Sequence, residues 1–261
     1  MPDFLRVNGR LLHYRYEAGQ SPRAVVFANS LGTDFRIWDG VVERLPKDVP
    51  TLRYDKSGHG LSESGAQTIA DHAADLAGLM DGLGLRQALV CGVSVGGMIA
   101  QRLAATRPEL AAGLILSNTG YKIGTVDSWN DRIAMVEDSG LAKIADAVLE
   151  RWFSQGFRHS QPDLVGGYRM MLSRTPALGY AAVCAAIRDA DLAAQTTEIE
   201  CPVLCIAGGA DQATPPDVVR SLADKISGAR YHLINEVGHI PSIEAPEEMA
   251  ALVRQELEVP K

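Results

Sequence analysis

The chain has 261 residues, 46% of them hydrophobic, which is enough for one large α/β core with an insertion or for two small domains. Its formal net charge is −7 without any block of like charge, so neither nucleic acid nor an anionic membrane is an expected partner. No apolar run approaches the roughly 20 residues of a membrane helix, and the N-terminus lacks the pattern of a signal peptide.

Four cysteines occur in apolar surroundings, and the two nearest each other, Cys201 and Cys205, are too far apart for a C-x-x-C motif. We expect all four to be reduced core residues of a cytoplasmic protein. They are Cys91, Cys184, Cys201 and Cys205. No group of His and Cys has the spacing of metal ligands, so the sequence predicts neither a metal nor a cofactor. The oligomeric state stays open.

Strands are predicted where short apolar or alternating runs are bounded by turn residues. In chain order they are Phe4–Val7, Leu11–Tyr16, Ala24–Ala28, Thr51–Asp55, Ala88–Cys91, Ala112–Asn118, Pro202–Gly208 and Tyr231–Asn235. Asn8-Gly9 between the first two runs indicates a hairpin turn. Helical patterns separate most of the later strands, so we predict an α/β fold with a mostly parallel sheet flanked by helices.

The pattern changes between residues 122 and 195, where helical periodicity occurs and no convincing strand does. Leu141, Ile144, Val148 and Trp152, for example, recur at helical spacing. Because strands resume directly afterwards, we interpret this block as a cap over the strand ends rather than as a separate helical domain. The expected organisation is an α/β core of residues 1–121 and 196–261, with a helical cap of residues 122–195.

A serine follows the apolar run Ala88–Cys91 in the stretch Gly92-Val93-Ser94-Val95-Gly96, and a helix-forming segment comes next. A serine on a sharp strand-to-helix turn adopts a strained backbone, and small residues must flank it because strand and helix nearly touch. The turn would raise the serine hydroxyl above the sheet edge. It would also place the next N–H group, that of Val95, at the positive end of a helix.

An acid and a histidine follow the serine, in the chain order Ser, Asp, His. Ser94, Asp211 and His239 each fall just after a predicted strand, and the carboxyl ends of parallel strands share one edge. Serine needs a base to remove its proton, and histidine needs a carboxylate to hold its tautomer. Asp217 and Glu236 are the competing acids, but a helix start explains the first and the second is only three residues from His239.

Among the other histidines, His59 lies in the glycine-rich loop Lys56–Ser62, ahead of the serine, so a backbone role is expected for that segment. His72 is interpreted as a surface or packing residue on a helix. His232 lies within a strand and His159 among polar residues of the predicted cap. His239 therefore stays the predicted base.

Four segments of the chain are similar to the α/β-hydrolase superfamily. They are Asn29–Asp34, Tyr54–Ser62, Gly92–Gly97 and Val237–Pro241. Asn29-Ser30, where most members carry His-Gly, together with Cys91–Gln101, resembles the 3-oxoadipate enol-lactonases of aromatic catabolism. Ser57 departs from that pattern, which usually has arginine before Gly-His-Gly.

The resemblance implies a cytoplasmic serine hydrolase that opens a small anionic lactone without a cofactor. Ser94 would attack the lactone carbonyl, and the backbone N–H groups of Leu31 and Val95 would hold the oxyanion. A cation of the cap should face the substrate carboxylate. Arg132 and Lys122 are the candidates, with Trp129 as an apolar wall.

Two other functions fit the same residues. A carboxylesterase or thioesterase with this triad would not need the cation, and a ligand receptor of this fold would turn over slowly or not at all. A dehalogenase or epoxide hydrolase would require a carboxylate at position 94. Because a fold does not fix a substrate, these alternatives stay open at the level of the sequence.

Overall fold

The protein is described by a computed structural model that covers residues 3–259. These residues form one sheet whose eight strands lie in the order β1-β2-β4-β3-β5-β6-β7-β8. The strands are β1 (Asp3–Val7), β2 (Arg10–Glu17), β3 (Val25–Ala28), β4 (Thr51–Tyr54), β5 (Ala88–Val93), β6 (Ala111–Ser117), β7 (Val203–Gly208) and β8 (Arg230–Ile234). Strand β2 pairs antiparallel with β1 and β4, and the other pairs are parallel. The mostly parallel α/β fold predicted from the sequence is confirmed.

Helices cover the sheet, and a further group of helices is formed by the segment between β6 and β7. They are α1 (Asp39–Val42), α2 (Ile69–Gly82), α3 (Val95–Thr106), α4 (Val126–Ser139), α5 (Leu141–Trp152), α6 (Gln155–Ser160), α7 (Pro162–Ser173), α8 (Ala177–Asp189), α9 (Ala193–Thr196), α10 (Pro216–Lys225), α11 (Pro241–Glu244) and α12 (Pro246–Glu258). A short 3₁₀ helix, Phe35–Trp38, precedes α1.

The centre of the sheet is apolar on both faces, as expected for parallel strands that helices cover on each side. Every residue of β3, β5, β6 and β7 is buried. Helix α2 packs on α3, and Thr68, the N-cap residue just before α2, forms a capping box with Asp71. This packing holds the carboxyl ends of the central strands at one edge, where the loops of interest begin.

The backbone conformation of the first hairpin agrees with the turn predicted at Asn8-Gly9. Asn8 and Gly9 have φ angles of 50° and 81°, which is the conformation that a tight two-residue hairpin turn requires. The cysteines are free thiols. Cys91, Cys184 and Cys205 are buried, whereas Cys201 is partly exposed and so is not a full core residue as predicted.

Helices α5 and α8 lie against the loops at the carboxyl edge of the sheet. Gly179 of α8 lies so close to Gly58, in the loop after β4, that a Cβ atom on either residue would strike the other's backbone. The backbone N–H of His239, in the loop after β8, donates to the carbonyl oxygen of Trp152 at 2.7 Å. We propose that residues 122–195 act as a cap, because they cover these loops.

Within residues 3–259, no single helix has the length and apolar composition needed to cross a membrane. The pair α7 and α8 reaches that length and composition together, but the two helices are bent by 90°.

Leu103 tests the packing of α3 on the sheet, because its side chain is fully buried. Leu103→Ala should lower the free energy of unfolding by about 2–5 kcal/mol, since it removes buried methyl groups and leaves a cavity. Urea denaturation followed by circular dichroism measures the change. Leu178→Ala is the matched control: Leu178 is 79% exposed, so its loss should shift stability by no more than about 0.5 kcal/mol. Equal effects of the two substitutions would contradict the described packing.

Candidate active site

Ser94 stands on the sharp turn that joins β5 to α3, with φ 58° and ψ −123°. This positive φ is strained for a residue with a side chain. A Cβ on Gly96 would collide with the carbonyl oxygen of Ala28, and one on Gly92 would collide with that of Gly96. The glycines are therefore required by the close approach of helix and strand, and Ser94 is held in a fixed position at the sheet edge.

Asp211 and His239 meet in the loops after β7 and β8. The Nδ1 atom of His239 is 2.8 Å from Oδ2 of Asp211, and both side chains are buried. Asp211, rather than Asp217 or Glu236, is thus the carboxylate that faces the imidazole. Asp211 also accepts hydrogen bonds from the N–H groups of Ala213 and Thr214, at 2.7 and 3.1 Å.

Two further side chains hold the Asp211 carboxylate. The Asn118 amide, just past β6, donates to Oδ2 at 2.8 Å and to the carbonyl oxygen of Gly238 at 3.2 Å. The Thr214 hydroxyl donates to the same Oδ2 at 2.7 Å. Burial alone would raise the pKa of Asp211. The charge of His239 and the bonds from His239, Asn118 and Thr214 outweigh burial and hold the pKa below its ordinary value.

Ser94 and His239 line one small cavity of about 110 Å³, together with Leu31 and Thr214. A cavity of this size holds several water molecules, so it has room for a small acyl group. No hydrogen bond joins the Ser94 hydroxyl to His239 in the part of the chain that the structure describes. Such contacts are often long before substrate binds and tighten in the Michaelis complex. A larger cavity, of about 460 Å³, lies elsewhere and lacks Ser94.

The loop after β3 brings Leu31 to this cavity. The N–H of its neighbour Gly32 donates to Nε2 of His59 at 2.9 Å, and Gly32 itself has φ 75°. His59 is fully buried, and this burial, with the nearby Lys56 charge as the second cause, lowers the pKa of the imidazole well below its ordinary value. The sequence predicted a backbone role for the His59 segment, whereas here the His59 side chain itself supports the loop.

Val95 is the first residue of α3, so its N–H has no partner within the helix and lies beside Ser94. Val95 directly follows Ser94, and Leu31 lines the same cavity as Ser94, so these two residues stay the predicted oxyanion donors. Nearby, His72 is buried rather than exposed on α2, and burial lowers its pKa to about 3, so it packs as a neutral imidazole.

Two of the three predicted cap residues line the cavity. The Arg132 guanidinium lies 5.5 Å from the centre of the Trp129 ring and donates to the Tyr180 hydroxyl at 3.4 Å. The Trp129 indole N–H donates to the carbonyl oxygen of Ile123 at 2.7 Å, which fixes the ring. Lys122 is not brought to the cavity: its ammonium pairs with Asp191 at 3.4 Å on the surface.

Arg151 is a second cavity arginine, which the sequence analysis missed. It lies at the end of α5 beside Trp152 and donates to the carbonyl oxygen of Gln212 at 3.4 Å. Both arginines line this cavity, and burial first, with the Arg132 charge second, lowers the pKa of Arg151. Among residues 3–259 neither arginine forms an ion pair. The sequence signal for Arg151 is its position in the last turn of α5, on the otherwise apolar face of that helix.

The geometry therefore places a hydroxyl at a helix N-terminus and a carboxylate-held imidazole at one cavity, with the loop of Leu31 beside them. These are the parts that acyl transfer through serine requires. Within residues 3–259, no group of three or more His, Cys, Asp or Glu residues could hold a metal ion.

The fold and this arrangement define an α/β hydrolase, and comparison with known proteins agrees. Residues 25–252 match the Alpha/beta hydrolase family, and the chain belongs to that family. It is 35% identical over 232 residues to 3-oxoadipate enol-lactonase 2 of Acinetobacter baylyi, covering 88% of this chain and 86% of the relative. The protein is accordingly a hydrolase enzyme, and the resemblance seen in the sequence is confirmed.

Solved structures of hydrolases superpose closely on this chain. The enol-lactonase from Burkholderia xenovorans LB400 superposes with a TM-score of 0.94 at 36% identity, covering 98% of this chain and 100% of that one. A malate-bound thermophilic esterase from Thermogutta terrifontis superposes with a TM-score of 0.90 at 25% identity, covering 98% of both chains.

Thr214→Val tests how the Asp211 carboxylate is held. The substitution removes the hydroxyl that donates to Asp211, and it keeps the side-chain volume and the backbone N–H. We expect the pKa of Asp211 to rise and kcat/KM for an ester to fall about threefold to tenfold, as for the loss of one hydrogen bond. Steady-state kinetics measure the change. Thr197→Val, at an exposed position past α9, is the control and should leave kcat/KM unchanged. An unaffected Thr214→Val enzyme would contradict this role.

Proposed function

We propose that the protein is a serine hydrolase that opens the ring of 3-oxoadipate enol-lactone to give 3-oxoadipate. The observation that carries this proposal is the convergence of Ser94, the His239–Asp211 pair and two arginines on one small cavity. The similarity to enol-lactonases in both sequence and structure supports the same substrate class.

In the proposed reaction, the Ser94 oxygen attacks the lactone carbonyl carbon while His239 takes the hydroxyl proton. The N–H groups of Leu31 and Val95 stabilise the oxyanion, and the loss of one such donor typically costs about 2.7–4 kcal/mol. The tetrahedral intermediate expels the ring oxygen as an enol or enolate, which receives its proton from His239 and tautomerises to the ketone. Asp211 holds the imidazole orientation and stabilises the imidazolium.

The acyl-enzyme is then hydrolysed. Water gives a proton to His239 and attacks the ester carbonyl on Ser94, and the second tetrahedral intermediate releases the Ser94 oxygen, which recovers its proton. The product leaves with one more carboxylate than the substrate. No step of this sequence needs a cofactor.

Substrate preference is proposed to come from charge. An anionic lactone carries a carboxylate that Arg132 can bind with its planar fork of N–H groups. Trp129 fixes that guanidinium by a cation–π contact, and Arg151 adds a second positive charge at the same cavity. The enzyme is proposed to act in the cytoplasm, in the catabolism of aromatic compounds. The free thiols of all four cysteines support a reducing compartment.

A general carboxylesterase is the second candidate, and the esterase neighbour supports it. The two candidate functions differ in the role that they give to Arg132 and Arg151. A neutral ester offers no carboxylate for the two cations to bind, whereas an anionic lactone does.

Arg132→Ala separates the two candidates. We expect kcat/KM on 3-oxoadipate enol-lactone to fall about 10- to 100-fold, as for the loss of a charged hydrogen bond, and kcat/KM on a short p-nitrophenyl ester to change little. Arg132→Lys should be intermediate, because it keeps the charge and loses the fork. Arg174→Ala, on an exposed arginine after α7, is the control.

Ser94→Ala tests the reaction class with the same assays. Hydrolysis of both substrates should be abolished. An enzyme that prefers the neutral ester, with no response to Arg132→Ala, would contradict the lactonase proposal and leave the serine mechanism standing. Lactone hydrolysis that survives in Ser94→Ala would contradict the serine mechanism itself.

A further inference from the structure

Lys56 is a buried lysine beneath the loop that follows β3. The residue is 1% exposed, and its Nζ atom donates to the carbonyl oxygen of Ser30 at 2.5 Å and to that of Thr33 at 3.4 Å. It forms no ion pair in residues 3–259. Removing an ammonium group from water without a counter-ion in contact is costly. Apolar packing would fill the same space at less cost, so the charge itself calls for an explanation.

The oxygen that Lys56 contacts belongs to the peptide group of the proposed oxyanion donor. The carbonyl of Ser30 and the N–H of Leu31 are the two ends of one peptide bond, which is trans. In a trans peptide these two groups point in opposite directions. With the carbonyl end turned towards Lys56, the N–H end faces the other side of the loop, where Leu31 lines the cavity with Ser94.

Other groups hold the same loop from below. The Thr33 hydroxyl donates to the Ser30 carbonyl oxygen at 2.8 Å, so this oxygen accepts from both a hydroxyl and an ammonium. On the other side of Leu31, His59 accepts the Gly32 N–H at 2.9 Å. Both peptides that flank Leu31 are thus fixed, and the first of them is in contact with a positive charge.

We propose that Lys56 is a positioning residue for the reaction, whose ammonium orients and polarises the Ser30–Leu31 peptide so that the Leu31 N–H becomes a stronger oxyanion donor. Hydrogen bonds to charged groups are roughly twice as strong as neutral ones, and linked hydrogen bonds polarise one another. The benefit grows as negative charge develops, so it should appear in kcat rather than in KM. This inference rests on the proposed serine mechanism.

The charge on Lys56 should depend on pH near neutrality. Burial lowers the pKa of Lys56 to about 7, and the carboxylates of Asp55 and Asp34 oppose that shift. The other titratable groups that face it are His59 and His72. Burial, followed by the Lys56 charge, lowers the pKa of both, so these imidazoles are neutral at neutral pH. Above pH about 7 the free enzyme loses the Lys56 proton, and the Ser30 carbonyl loses its contact with the charge.

Lys56→Met tests the proposal, because methionine fills the stem of lysine without the ammonium. With a p-nitrophenyl ester or the lactone, kcat should fall about 10- to 100-fold, less than or equal to the loss of a whole oxyanion donor, and KM should stay within about threefold. The wild-type kcat/KM should decline above pH about 7 towards the value of the variant, and the variant should lack that decline.

Lys56→Gln is the second variant, since its amide keeps a neutral donor. It should retain an intermediate kcat and also lack the alkaline decline. Lys143→Met, at an exposed position of α5, controls for the loss of a positive charge, and thermal melting establishes that each variant is folded. Should neither Lys56 variant fold, the alkaline decline of the wild-type enzyme decides the matter, and its absence overturns the proposal.

Two results with folded variants would overturn the inference. The first is a Lys56→Met enzyme with the wild-type kcat. The second is a slower Lys56→Met enzyme that keeps the wild-type alkaline decline, because that outcome assigns Lys56 a packing role. Either result leaves the serine mechanism intact, whereas activity that survives in Ser94→Ala would remove the mechanism on which the inference rests.

Discussion

The close approach of α3 to strand β3 is the constraint on which the site depends. Gly96 lies where any side chain would strike the carbonyl oxygen of Ala28, so the helix can begin only a short distance above the strand. At this sharp turn Ser94 adopts a positive φ, and Val95, whose N–H has no partner within the helix, follows it directly. The local strain is stabilised by the apolar packing of the central sheet, where the strands are buried on both faces.

The remaining parts of the site come from loops that the parallel sheet brings to one edge. Each loop is held by polar contacts beneath or behind the cavity: Asn118 connects Asp211 to the loop of His239, and Lys56 with His59 supports Leu31. These groups do not face the substrate. They restrict the donors and the base to one geometry before substrate arrives, which is the condition for electrostatic stabilisation of a transition state.

The sequence predicted most of the strands, the α/β class and the Asp211–His239 contact, because each depends on short-range pattern. Apolar runs, glycine spacing and residue order can be recognised in the sequence without knowledge of the tertiary contacts. The roles of Arg151 and Lys56 were not predictable in this way. Each depends on which loop or helix packs against it, and an isolated charged residue is by default solvated. Lys122 shows the same limit from the other side, since a charge near the cap entrance pairs with Asp191 instead.

We propose that Ser94 forms the acyl-enzyme in a cavity selective for an anionic lactone. The most direct test is labelling by a fluorophosphonate in the presence and absence of 3-oxoadipate enol-lactone, read by intact-protein and peptide mass spectrometry. The account predicts one label per chain, on Ser94, and protection by the lactone well beyond that by a neutral ester of similar size. Labelling at another residue, or protection by the neutral ester alone, would contradict it.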